Sequence, residues 1–454
     1  MANTTAVLAP SPALAEEADP TATRRWFTVG VLTGLYAVSL VDRQVFALLI
    51  EPIRKSLNVS DFQIALVHGM AFAMFYAVFG LLFGWAADRF PRRGVVLGGV
   101  SAWSVATMSC GLARNFWQLG LARFGVGAGE AALNPAAYSI ITDVFPRHRM
   151  STAIAVFGTG ALIGDLSAKL AGAFLMSVIP SQGLTLPVVG QLEPWRAVFL
   201  FVGLPGLALG SLVWLFPEPA RRQRAGVAKV SVGDAASFMW RSRDFFLPFF
   251  IGCALIYATN TAFAVWAPTF MIRHFGLSVS QVGFMMAATS VGPQIGGTML
   301  AGFLADHFFA RGRTTIHIYL AAAMALFKGL FIIAGVLVGA PWPAAILFGA
   351  GTLFSGIVAT GPAALQMVTP NERRGQVSAT YLFLLNLLGL GLGPAITGAI
   401  ATYVFKDRAM IGQALVVTIL VLQPLAFLSV IASLKGMRRM VAEAQAWTGA
   451  GEEA

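Results

Sequence analysis

Long apolar runs recur along the chain at 26–50, 62–87, 94–112, 117–142, 151–177, 197–216, 245–271, 280–305, 314–338, 341–367, 376–403 and 412–434, separated by polar connections. Each is near the ~20 residues that a helix needs to cross hydrocarbon. The pattern predicts an all-α membrane protein with twelve transmembrane helices.

The pattern also repeats. Gly84 and Asp88 close the second run as Gly-Trp-Ala-Ala-Asp-Arg, and Gly302 and Asp306 close the eighth as Gly-Phe-Leu-Ala-Asp-His. Pro146 to Arg149 after the fourth run is echoed by Pro370 to Arg373 after the tenth. These echoes divide the chain into an N-terminal tail (1–25), a six-helix bundle (26–216), a linker (217–244), a second pseudo-symmetric bundle (245–434) and a C-terminal tail (435–454). The linker opens Pro217-Glu218-Pro219, and its later part, Val232 to Trp240, reads either as a short amphipathic helix on the membrane surface or as unstructured chain. Parallel repeats of this kind belong to transporters that rock around a central site.

Composition sharpens the class. With 57% hydrophobic and 11% charged residues in 454, the chain is neither an ordinary soluble domain nor a disordered one. Of 31 Lys and Arg, 20 fall in one set of alternate connections, 7 in the other and 4 within spans. The positive-inside rule therefore places both termini in the cytoplasm, of a plasma or bacterial inner membrane. It also accounts for the net charge of +11 without nucleic acid. Cys110 and Cys253 lie in apolar runs and suggest no disulfide framework, and residues 1–25 lack the apolar core of a signal peptide and read as a mobile tail. The five histidines have no zinc spacing, and no phosphate loop or nucleophile elbow is present, so neither enzyme chemistry nor a cofactor is expected. A monomer is expected.

The four basic residues inside spans are Arg43, Arg123, Lys169 and Lys328. Arg123 and Glu130 lie seven apart, which stacks them on one helix face about 10 Å apart along the axis, with Gly127, Asn134 and Tyr138 close to that face. Asp42 and Arg43 are adjacent in the first span and point ~100° apart, so each needs a partner elsewhere. Arg123 and Glu130 are the available ones, and two acids with two bases form a neutral set. The quartet reads either as a coupling site, in which Asp42 or Glu130 carries a proton and Arg43 and Arg123 hold an anion, or as a static ion-pair network. Asp165 and Lys169 are spaced as a local helix pair, or alternatively as a second proton site, and Lys328 is expected to snorkel to an interface. Leu347 to Ile357 in the tenth span carries no charge, so the second bundle is expected to offer an apolar, aromatic wall. Tyr257, Asn260, Thr261, Trp266, Tyr381 and Asn386 are candidate polar contacts on that side, or interhelical packing. Glycines at 158, 160 and 164, and at 389, 391 and 393 before Pro394, allow helices to approach closely and bend.

Two six-helix halves, a basic linker and a motif at Gly84, Asp88, Arg89, Arg92 and Arg93 resemble the major facilitator superfamily, whose pattern has glycine where this chain has Pro91. Val41-Asp42-Arg43-Gln44 and Arg123-Phe-Gly-Val-Gly-Ala-Gly-Glu130-Ala131 resemble its spinster-like branch. The Gly84 to Arg93 turn reads as a conformational latch that holds one face closed and separates when it opens, or as a solvated turn that fixes topology only. The resemblance implies a secondary transporter of lysophospholipid or sphingoid phosphate; the residues themselves support an amphipathic or anionic small molecule moved with protons. A proton symporter of organic or sugar acids and a drug/proton exporter are the alternatives within the class. The exporter's Gly-Gly-Pro signature is absent, since Asp165 follows Gly164. A membrane receptor or lipid-modifying enzyme is the reading from outside the class.

Overall fold

A computed structural model describes residues 22–187, 190–219, 232–370 and 372–452. The tail at 1–21 and linker positions 220–231, with Arg221, Arg222, Arg224 and Lys229, lie outside the described residues. Nine helices among the described residues are long and apolar enough to cross a membrane. The other three predicted spans are also helical. The fourth is split into Phe116–Glu130 and Leu133–Val144, the tenth into Pro341–Gly351 and Ile357–Val368, and the eighth is one helix, Val279–Ala310. Helix also covers Val232–Arg241 in the linker and Leu434–Glu452 after the last span. A two-stranded hairpin, Leu184–Leu186 with Gly190–Leu192, joins the fifth and sixth spans, where the hydropathy pattern suggested only a connection.

The duplication extends into capping chemistry. Ser60 and Ser278 cap the second and eighth spans, each accepting from the backbone N–H three residues on, while Gln63 and Gln281 bond back to the cap. Within the first half, glycines set close approaches. A Cβ at Gly164 would lie 2.4 Å from the Ala37 carbonyl, which seats the fifth span directly on the first, and one at Gly129 would lie 2.6 Å from the Trp103 nitrogen, fixing the fourth span on the third. These two contacts hold the backbone that carries Asp42, Arg43 and Glu130.

The first and twelfth spans begin and end on one face, here the terminal face. The two halves touch from mid-depth toward the opposite face. Phe62 donates its N–H to Thr402 there, and the π-helical segments Leu66–Ala71 and Leu385–Leu390 meet where a Cβ on Gly69 would lie 2.9 Å from the Leu390 carbonyl. Arg273, at the end of the seventh span, crosses from the second half to the first. It donates to both Asp61 oxygens at 2.7 Å and to Glu51 at 2.8 Å, while Arg54 also donates to Glu51 at 3.0 Å. On the terminal face, by contrast, Arg439 bonds Asp244 within the second half, and Arg92 bonds Asp143 within the first.

Candidate functional site

Asp42 and Arg43 come from the first span, Arg123 and Glu130 from the fourth. Arg43 donates to Glu130 at 2.5 Å, forming an ion pair whose carboxylate is almost fully buried. Asp42 is buried and accepts from the Thr107 hydroxyl at 3.0 Å, a third-span partner that the charge pattern gave no reason to single out. Arg123 is buried and none of its guanidinium nitrogens has a hydrogen-bond acceptor among the described residues; it sits over the Phe46 ring at 4.9 Å and the Phe72 ring at 5.4 Å. The expected four-way neutral set is therefore one ion pair and two charges held in other ways. Desolvated rings and a hydroxyl replace the carboxylate–guanidinium contacts that spacing alone suggested. Asp42 Oδ1 and Glu130 Oε1 meet no donor among the described residues, so the cluster keeps acceptor capacity for a proton or a donor. His68 is also buried here, stacked on Phe46 at 5.0 Å, with Nδ1 lacking a partner among the described residues. Its isolation in sequence gave no signal, because its placement comes from the π-helical turn.

Arg43 is the quartet member that reaches accessible surface, and its guanidinium lies 4.3 Å over Phe72 and 5.6 Å from the Tyr76 ring centre. Asn134 donates to the Tyr76 hydroxyl at 2.9 Å. Tyr138 is exposed and packs edge-on against Phe157. Residue 44, next to Arg43, opens onto a cavity of about 240 Å³ between the halves. Gln44, Asp165 and Lys169 line it from the first half; Tyr257, Asn260, Ser290, Gln294, Lys328 and Ser355 are among its lining from the second.

Two expectations need correction there. Lys328 does not snorkel: it is 4% exposed and donates to the Ser355 hydroxyl at 2.9 Å inside the cavity. The second half is not a purely apolar wall, because the seventh, eighth and ninth spans bring Asn260, Gln294 and Lys328 to it and the uncharged tenth span adds Thr352 and Ser355. The Asp165–Lys169 pair forms as expected, at 2.6 Å, but Lys169 also donates across the interface to Ser290 at 3.1 Å. Tyr257 lines the cavity. Trp266 and Tyr381 sit elsewhere: Trp266 is buried with its indole N–H donating to the Pro394 carbonyl, and Tyr381 is buried against Phe249 and Phe250.

At the terminal face Arg92 is the hub of the Gly84 to Arg93 motif. It is fully buried, paired with Asp143 and Glu218, and bonded to the Ser139 hydroxyl at 3.0 Å. Burial alone would raise the Glu218 carboxyl, but the Arg93 N–H and the Arg92 side chain outweigh it and hold its pKa below the ordinary glutamate value. Arg93 donates to the Phe216 carbonyl, and Arg89 stacks on Trp85 at 4.4 Å. Gly84 has open space where a Cβ would be, and Asp88 is exposed with no ion-pair partner among the described residues. Pro91 fits as the residue before the third span, with φ −55°, which is the angle proline imposes. Arg92→Ala should cost on the order of 3 kcal/mol by removing the buried guanidinium that Asp143 and Glu218 share. Asp88→Ala should change stability by less than about 0.5 kcal/mol. Thermal unfolding in detergent checks both, and equal losses would refute this division of roles.

Comparison with known proteins follows the same lines. The chain is 28% identical over 410 residues to an MFS-type efflux pump of Mycolicibacterium smegmatis, covering 88% of this chain and 90% of the relative. It is 26% identical over 404 residues to protein spinster homolog 3 of Danio rerio, with 84% and 78% covered. It is 24% identical over 312 residues to a D-galactonate transporter of Escherichia coli, with 64% and 69% covered. Among solved structures, it is similar to a bacterial homolog of the human lysosomal transporter Spinster in an inward-facing, unoccupied conformation, with TM-score 0.74, 24% identity and 94% and 98% of the two chains covered. Residues 32–394 match the Major Facilitator Superfamily, and with the twelve helical spans in two duplicated halves around a shared cavity, this chain belongs to that family of membrane transporters.

Proposed function

We propose that this secondary transporter moves a small organic anion by alternating access and couples that movement to protons through Asp42 and Glu130. The observation that carries the reading is the buried Arg43–Glu130 pair, set one residue from a cavity shared by both halves. A carboxylate facing a lone guanidinium can exchange its charge for a proton while Arg43, or the acceptor-poor Arg123, takes up an anion. Residues 26–216 and 245–434 act as the two moving bodies. The surplus of basic residues in the connections on the terminal face supports a cytoplasmic location for that face. With the opposite face tied by Arg273, the conformer described is the inward-facing one. When the halves close on the terminal face, Asp88, with Gly84 and Arg89 beside it, is free to engage the other half, while Arg92 and Arg93 keep the motif anchored.

The cavity favours an organic or sugar acid over a lipid. Its ~240 Å³ falls below the range typical of drug-sized ligands, and the second half presents Asn260, Gln294, Lys328 and Ser355 to it. Lysophospholipid or sphingoid phosphate is the second reading, favoured by similarity to spinster proteins over most of the chain. Flux into proteoliposomes decides between them. We expect D-galactonate to accumulate when a pH gradient is imposed and not without one, and labelled lysophospholipid not to accumulate under either condition. Lipid flux without acid flux would reverse the assignment, and acid flux indifferent to the gradient would remove the proton coupling.

A further inference from the structure

The quartet lies wholly within the first half, so a ligand bound only there would not feel the relative movement of the halves. The shared cavity is different. Among the described residues it receives one ammonium group from each half, Lys169 from the fifth span and Lys328 from the ninth, and a single carboxylate, Asp165. Lys169 is already paired with Asp165 at 2.6 Å. Lys328 has no carboxylate within ion-pair distance among the described residues; its described acceptor is the Ser355 hydroxyl, and Phe263 lies 5.8 Å away. An ammonium has three N–H donors, and a neutral hydroxyl does not offset its charge. With both lysines protonated, the cavity lining thus carries one surplus positive charge.

We infer that Lys328 and Lys169 form a binding site for one carboxylate-type monoanion that spans the two halves, with the Ser290 and Ser355 hydroxyls as its neutral partners. This deepens the anion-transport reading above and rests on it. The ligand's charge neutralises Lys328 and competes with Asp165 for Lys169. Because the lysines belong to different halves, an anion between them favours the conformers that bring both to it, which is the differential affinity that alternating access requires. A dianion would leave the site negative by one charge, and a neutral sugar would leave Lys328 uncompensated.

The test is thermal stabilisation of the full-length protein in detergent, at constant ionic strength, titrated with D-galactonate, cis,cis-muconate and D-galactose. We expect galactonate to stabilise the wild type more than muconate does, and galactose to have no effect. In Lys328→Met the half-saturating galactonate concentration should rise about tenfold, and in Lys328→Arg it should stay within about threefold. Lys328→Met replaces a buried charge by a thioether of similar length, so it should fold at least as well as the wild type. Absence of anion stabilisation in the wild type, or an unchanged titration in Lys328→Met, would overturn the site. Galactonate flux that persists with Lys328-independent binding sinks this inference alone, whereas Lys328-dependent binding without flux sinks the transport reading and leaves the site standing.

Discussion

Glu130→Gln should abolish gradient-driven accumulation while leaving the protein folded and able to exchange substrate. Glutamine keeps an oxygen for Arg43 to donate to and nearly the same volume, but it cannot bind or release a proton. Accumulation driven by a pH gradient should fall about a hundredfold, the equivalent of about 2.7 kcal/mol. Exchange of substrate across the membrane without a gradient should persist within a few fold. The melting temperature should also fall, because Arg43 loses the counter-charge it meets at 2.5 Å and stays mostly buried. Gradient-dependent and exchange rates measured on the same proteoliposomes separate the two possible roles of the pair. A purely structural pair would lower stability and leave the pH dependence of transport intact, and that result would refute the coupling role.

Arg273→Ala should have the largest effect on conformation. Arg273 is the second-half member of a buried network with Glu51, Asp61 and Arg54, to which the exposed Lys55 adds a contact with Glu51 at 3.4 Å. Its loss leaves Asp61 to Arg54, and Glu51 to Arg54 and the exposed Lys55, and removes the bidentate contact to Asp61, a change of about 3–5 kcal/mol for a buried pair. The equilibrium should shift toward conformers open on the opposite face, read as longer distances between spin labels placed at the exposed positions Arg114 and Lys406. Unchanged distances would refute the tie. The same network predicts acid sensitivity in the wild type. Burial alone would raise the Glu51 carboxyl, but its bonds to Arg54 and Arg273 and their charges lower it from the ordinary 4.5 to about 2. A carboxylate with a depressed folded-state pKa stabilises the fold above its unfolded value, and that contribution disappears as pH falls through the folded one. Stabilisation on the order of 3 kcal/mol should therefore be lost between about pH 4.5 and pH 2, and this loss should be missing from Glu51→Gln.

The spans, their duplication and the four charges of the first and fourth helices were legible because apolar length and intramembrane charge are properties of local sequence. What the chain does with those charges was not. Arg123 faces rings, Asp42 a threonine of the third span, and Lys328 a serine of the tenth, because helix packing decides which neighbours a side chain meets at depth. Counting bases by connection gave topology but treated Arg273 as one of seven on the sparser side, and its role as a cross-half tie depends on Glu51 and Asp61, more than two hundred residues away. Lys328 was misplaced for a related reason: snorkelling is the expected fate of a lysine near a helix end, whereas this one lies where the eighth, ninth and tenth spans enclose it. Trp266 and Tyr381 illustrate the converse, aromatic residues with polar tips that find their surroundings inside one half.

The π-helical segments at Leu66–Ala71 and Leu385–Leu390 also bear on how this chain can be compared with others. A wider turn accommodates one residue beyond ordinary α winding, so a homologue lacking that residue would present every later side chain of the same span rotated by about 100°. Position-by-position inheritance of roles past residue 71 or residue 390 therefore fails wherever an alignment ignores a single gap, and His68 and Gly389 are the places to look for it.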